Sequence, residues 1–206
     1  MEDNRRPIKS RSQSWAIQLT AYLIRRNITP NQISVASIGF AALASICMTL
    51  STGFMASVLA IAFVQMRLVC NLLDGMVAIE GGKSSAAGSL YNEFPDRIAD
   101  TLLIVSLGYA VALPELGWFA ALAAALTAYV RVFGGSVGLK QAFTGPMAKQ
   151  HRMAALTVGL GINLVEAVFW GTHNALVIAL GVIALGSALT CITRTLDIAR
   201  ELKESQ

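Results

Sequence analysis

Along this chain the hydrophobic and polar positions alternate on a long scale. Apolar runs near the roughly 20 residues that a helix needs to cross a bilayer core recur at 32–50, 54–78, 98–113, 118–133, 153–169 and 175–193. They predict an all-α polytopic membrane protein with six transmembrane helices. Short turns at 51–53, 113–115 and 171–173 lie on one side. Longer polar connections at 79–87 and 134–152 lie on the other, together with both termini. Ahead of the first run, Trp15, Leu19, Tyr22 and Leu23 share one helical face, at i, i+4, i+7 and i+8. With basic residues around them they predict an amphipathic helix lying in the membrane interface, or a tail packed on the bundle. Neither a fixed-period repeat nor a low-complexity linker divides the chain. A single domain over 1–206 is expected, with 1–31 as a cytoplasmic or interfacial N-terminal segment.

Charge distribution orients these helices. The three short turns carry no Lys or Arg, whereas Arg5, Arg6, Lys9, Arg11, Arg25, Arg26, Lys83, Lys140, Lys149, Arg152, Arg200 and Lys203 fall in the opposite segments. Arg67, Arg97, Arg131 and Arg194 fall within the runs or at their ends on that same side. Positive residues mark the cytoplasmic side, so both termini are expected inside, in a cell inner (cytoplasmic) membrane. The polar, basic start followed by Arg25 and Arg26 is not the pattern of a cleavable signal. Composition agrees: 55% of the residues are hydrophobic and 14% charged, against about 25% charged in soluble domains. A net charge of +4 suits anionic headgroups, and no basic patch studded with aromatics points to nucleic acid. Cys47, Cys70 and Cys191 sit in apolar runs without metal-type spacing, as packing residues do.

Concentrated polar chemistry occurs in one place. Asn71, Asp74-Gly75 and Ala78 share a face of the second predicted helix, and Gly88, Asn92, Asp96 and Asp100 follow at intervals of four on the third. Adjacent antiparallel helices would aim these short oxygen-bearing side chains at one another, at the cytoplasmic end of the membrane. Ionisable residues at such depth are costly and mark function. Clustered acids need a neutralising cation, and an all-oxygen set suits Mg²⁺ or Mn²⁺ better than zinc. The competing structural reading is a helix-end salt-bridge network in which Arg97 pairs with Asp96 or Glu93.

The spacing resembles that of the CDP-alcohol phosphotransferases, six-helix membrane enzymes carrying D-x2-D-G-x2-A-R-x8-G-x3-D-x3-D. Asn71, Asp74-Gly75, Ala78, Ile79, Gly88, Asn92 and Asp96 align with it without a gap. The segment from Ile28 to Ile33, with Asn31, resembles the family's entry to its first helix. Gly145-Pro146-Met147-Ala148-Lys149 resembles a segment of a less characterised branch with the same Asn-containing pattern. Three positions depart from the family: Asn71 and Asn92 replace the first and third aspartates, and Ile79 replaces the arginine. The resemblance implies transfer of a phosphatidyl group from a CDP-linked lipid such as CDP-diacylglycerol to an alcohol, with release of CMP, in phospholipid biosynthesis, by a homodimer. It implies Asn71, Asp74, Asn92 and Asp96 as metal ligands and Asp96 as the base. It also implies Gly75, Ala78 and Gly88 shaping the nucleotide pocket, and Arg131 and Lys149 at a pocket suited to a phosphorylated acceptor. Asn can still offer a carbonyl oxygen to a hard cation. That leaves one ion, or a pair completed by Glu93, Asp100 or substrate phosphates.

Two other readings compete. Asn92-Glu93-x2-Asp96-x3-Asp100 resembles a motif of intramembrane aromatic prenyltransferases, but the C-terminal half has no second such motif and Asp74-Gly75 would go unexplained. A non-catalytic relative that binds lipid or nucleotide is the other. Arg67, a turn ahead of Asn71, is expected to pair with a cluster carboxylate or to contact phosphate. Arg152 and His151 read as topological, and Glu166 and His173, near the opposite side, as incidental.

Overall fold

The computed structural model describes residues 13–83, 87–139 and 144–204. Arg5, Arg6, Lys9, Arg11 and Lys140 of the charge argument lie outside them. Seven helices and no strand occur among the described residues: α1 (Ser14–Arg25), α2 (Pro30–Leu50), α3 (Phe54–Glu80), α4 (Gly88–Ala110), α5 (Pro114–Ser136), α6 (Lys149–Phe169) and α7 (Asn174–Glu204). Five of them, α2, α3, α5, α6 and α7, are long and apolar enough to cross a membrane. The sixth expected span, α4, is 23 residues long. Glu93, Asp96, Arg97 and Asp100 reach past its middle and leave only 101–110 uncharged up to its end.

Local signals set the boundaries. Thr29 and Gln32 form a capping box at the start of α2: the Thr29 hydroxyl accepts from the Gln32 amide, and Gln32 Oε1 accepts from the Thr29 amide at 2.9 Å. Pro30 takes the first turn, where its missing N–H costs nothing. Pro114 does the same for α5, so the turn expected at 113–115 lies one to two residues earlier, with Ala112 at φ 57°. Helix α6 begins at Lys149. Lys149 and Arg152, expected in a polar connection, therefore stand on its first turn.

Helix α2 packs on both α3 and α4, α5 packs on α4 and α7, and α6 bridges α3 and α7. Helices α3 and α4, expected to adjoin, are joined through α2 and the ion pairs of Arg67 rather than by packing on each other. Their contacts use small residues, as association within lipid favours. Gly108 of α4 meets Gly117 of α5 so closely that a Cβ on Gly108 would lie 2.7 Å from the Gly117 Cα. Leu122, Val158, Ile178 and Leu185 point outward and are well exposed, the arrangement expected of a surface that faces acyl chains. Helix α1 lies on α3, with Ala16 packed on Leu72 and Met76, while Trp15, Ile17 and Tyr22 remain exposed. On the side of the short turns, Asn163 donates 2.8 Å bonds to the Thr52 carbonyl and the Ser57 hydroxyl. His173 bridges Asn163 and Thr52 at 2.9 and 2.8 Å, and Glu166 accepts from the Ala175 amide at the start of α7. His173, read as incidental, thus ties the two turns together, and Glu166, read likewise, holds the start of α7.

Candidate active site

Polar side chains gather where α3, α4, α5, α6 and α7 meet at their basic ends. A cavity of about 220 Å³ opens there. Asn71 on α3, Asn92, Glu93, Asp96 and Arg97 on α4, and Thr127 and Arg131 on α5 form part of its wall. Lys149 and Arg152 on α6 and Arg194 on α7 complete its polar lining. Asn71, Asn92, Asp96, Arg131 and Lys149 are thus brought together as expected. Asn31, Asp74, Gly75, Ala78 and Gly88 are not part of this wall. Asp74 is buried one turn from Asn71; its Oδ2 accepts from Ser34 of α2 at 2.7 Å and its Oδ1 from the Gly75 amide at 2.6 Å.

Geometry separates the two aspartates at the end of the motif. Asp100 is 3% exposed and held on both oxygens, by Arg67 at 2.6 Å and by Arg152 at 2.9 Å. A carboxylate enclosed by two buried guanidiniums is satisfied as an ion-pair partner, so Asp100 joins α3, α4 and α6. Asp96, one turn earlier, faces the cavity. The Lys149 ammonium donates to its Oδ2, and Arg67 stands 3.4 Å from its Oδ1. Glu93 is engaged by Arg131 at 2.6 Å and, more loosely, by Arg97 at 3.8 Å. The expected pairing of Arg97 is present only with Glu93, at 3.8 Å; the ion pairs that dominate the cluster come instead from Arg67, Arg131, Lys149 and Arg152. Arg152, read as topological, is buried and structural. The sequence held no signal for that role, because its partner lies 52 residues away on another helix.

Residues 144–148 explain how Lys149 arrives at Asp96. Gly145 adopts φ +115°, and a Cβ there would lie 2.5 Å from Thr190 Cγ2. The Met147 amide donates to Thr190 Oγ1 at 2.8 Å, Arg152 donates to the Met147 carbonyl at 2.9 Å, and Arg194 donates to the Thr144 carbonyl at 2.8 Å. The turn is fastened to α6 and α7 and delivers the lysine from the first residue of α6.

The donor set also bears on a divalent metal. Among the described residues no three Asp, Glu, His or Cys side chains form a metal-holding group. Asn71 and Asn92 stand where carboxylates would make one, and Glu93 and Asp100 are taken up by cations. The Asn71 Nδ2 is buried without a hydrogen-bond partner. Turning that amide places a carbonyl oxygen there, a ligand that hard cations accept. Asn92 lines the same cavity and the Asp74 carboxylate is buried one turn from Asn71, so the oxygens near that amide are of the kind that a hard divalent ion takes.

Comparison with known proteins decides the family. No family model matches the chain. It is 31% identical over 186 residues to the archaetidylinositol phosphate synthase of Aeropyrum pernix, covering 90% of each. It is 28% identical over 201 residues to the phosphatidylinositol phosphate synthase of Streptomyces avermitilis, covering 90% of this chain and 78% of that one. The chain belongs to the CDP-alcohol phosphotransferase family. Its fold is that of the Mycobacterium tuberculosis phosphatidylinositol phosphate synthase. A structure of that enzyme with CDP-DAG bound superposes with a TM-score of 0.74 at 19% identity, over 89% of this chain and 92% of that one. A second, in complex with manganese and citrate, gives 0.75 over 89% and 88%. Family membership displaces the prenyltransferase alternative and accounts for Asp74-Gly75, which that alternative left unexplained.

Proposed function

We propose that this chain is an integral membrane transferase that moves a phosphatidyl group from a CDP-linked lipid, such as CDP-diacylglycerol, to an alcohol and releases CMP, in phospholipid biosynthesis. The observation that carries this reading is the cavity in which Asp96 stands among Asn71, Asn92, Arg131 and Lys149, in a chain of this family. The relatives are named for making phosphorylated inositol lipids. The wall contains Arg97, Arg131 and Arg194, and guanidiniums recognise phosphate oxygens bidentately. Both support a phosphorylated polyol as acceptor.

Asp96 is the group we assign as base, taking the acceptor hydroxyl proton as the oxygen attacks the phosphorus. The bond from phosphorus to the CMP oxygen breaks, and CMP leaves as the phosphate. Asp74, Asn71 and Asn92 would hold Mg²⁺ or Mn²⁺, which neutralises diphosphate charge and steadies the leaving group. Gly75, Ala78 and Gly88 would bring backbone close to the nucleotide, with Asn31 at the start of α2 beside them. Positioning and charge neutralisation carry most of the catalysis. The reading includes α4 as a sixth span, α1 in the interface, both termini cytoplasmic in the inner membrane, and a homodimer, as the resemblance implies. It treats Asn at the first and third motif positions as a working variant of the family site.

The test is CMP release by purified protein in detergent with CDP-diacylglycerol, Mn²⁺ or Mg²⁺, and inositol phosphate, glycerol phosphate and unphosphorylated alcohols. Release with a phosphorylated acceptor, lost in Asp96→Ala, is expected. CDP-diacylglycerol binding without release for any acceptor would point to the non-catalytic relative.

A further inference from the structure

Two divalent ions side by side repel each other and are ordinarily held by several carboxylates. Here the motif keeps only Asp74 and Asp96, and Asp96 is already paired. Lys149 donates to one of its oxygens and Arg67 stands near the other. Arg67 and Arg152 both serve Asp100, so three cations face two carboxylates. Adding Asp74 brings the cluster to neutrality before any metal enters. A second divalent ion would have to displace Lys149 and sit beside Arg67, and Glu93, the other carboxylate of the cavity wall, is already engaged by Arg131 and Arg97. The lysine is not a loose surface group: the turn before it is fastened by Thr190, Arg152 and Arg194, and its own side chain lines the cavity.

We propose that the Lys149 ammonium takes the place of one metal ion, so that the site binds a single divalent cation per chain and Lys149 supplies the second positive charge facing the substrate diphosphate. This rests on the phosphotransferase reading for what the charge acts on, but not for the ion count. The pairing of Asn71 and Asn92 with a cavity-facing lysine then has a physical reason. Two carboxylates became amides, and one divalent ion became a monovalent ammonium that needs no ligands of its own.

Mn²⁺ binding measured by electron paramagnetic resonance on detergent-purified protein, with and without CDP-diacylglycerol, tests this. Wild type should bind one Mn²⁺ per chain. Lys149→Met should bind Mn²⁺ at least about tenfold more tightly, because a like charge has left, while losing CMP release. Lys149→Arg should keep one ion and part of the activity. The triple variant Asn71→Asp, Asn92→Asp, Lys149→Met should bind two. Two ions or none in wild type, or Mn²⁺ affinity unchanged in Lys149→Met that elutes as wild type does on gel filtration, would overturn the proposal. If wild type binds one ion but releases no CMP with any acceptor, the transferase reading fails and the ion count stands.

Discussion

Asp96 and Asp100 differ by one helical turn and by everything that surrounds them. Asp100 lies between Arg67 and Arg152, all three almost fully buried. Removing one member of such a group leaves uncompensated charge in a medium that solvates it poorly, at a cost of about 3–5 kcal/mol. Arg152→Ala should therefore lower the thermal unfolding midpoint in detergent markedly, whatever it does to turnover. Asp96 faces the cavity, where we assign it as the base. Asp96→Asn keeps the side-chain volume and should lower CMP release by roughly 10²–10⁴, the usual worth of a general base, with a much smaller change in unfolding midpoint. If the two variants exchanged these phenotypes, the assignment of roles would be wrong. The spacing that places Asp96 and Asp100 on one face of α4 was legible in the chain. Which of them was sealed by arginines was not, because Arg67 and Arg152 come from helices 33 and 52 residues away.

At the scale of elements, the α3–α4 pair carries the motif and the turn before α6 completes it. That turn depends on Gly145, whose φ of +115° and contact with Thr190 exclude a Cβ. Gly145→Ala should cost on the order of 1–3 kcal/mol in backbone strain and move Lys149 off Asp96. The expected result is a fall in CMP release larger than the loss of stability alone explains, read from turnover well below the unfolding midpoint. On the opposite side, Asn163 ties the α2–α3 turn to His173. Asn163→Leu should leave Thr52, Ser57 and His173 short of partners and destabilise the bundle by about 1–3 kcal/mol, while Mn²⁺ binding at the far cavity stays unchanged. Helix starts at Pro30 and Pro114 follow from local chemistry. The start of α6 at Lys149 does not, since its preceding turn is shaped by α7.

Among the described residues, the basic cluster and the cavity lined by Asp96 and Lys149 occupy one end and the Asn163 network the other. The proposed topology predicts that Ser51→Cys, in a variant lacking Cys47, Cys70 and Cys191, reacts with a membrane-impermeant maleimide on intact cells. Lys203→Cys on the same background should react only after permeabilisation. The reverse pattern would invert the orientation.

Hydropathy, charge and helical spacing by themselves determined the all-helical architecture with several membrane-crossing helices, the end of the bundle at which the polar cluster lies, and the face of α4 that carries Asn92 and Asp96. These depend on the cost of placing polar groups in lipid and on the helical period, both of which act along the chain. Tertiary structure alone decided which carboxylate is sealed and which faces the cavity, that Lys149 is the partner of Asp96, and that Gly145 and Thr190 set it there. Those outcomes depend on the short range of ion pairs and on the approach of helices far apart in sequence, so no local pattern could carry them.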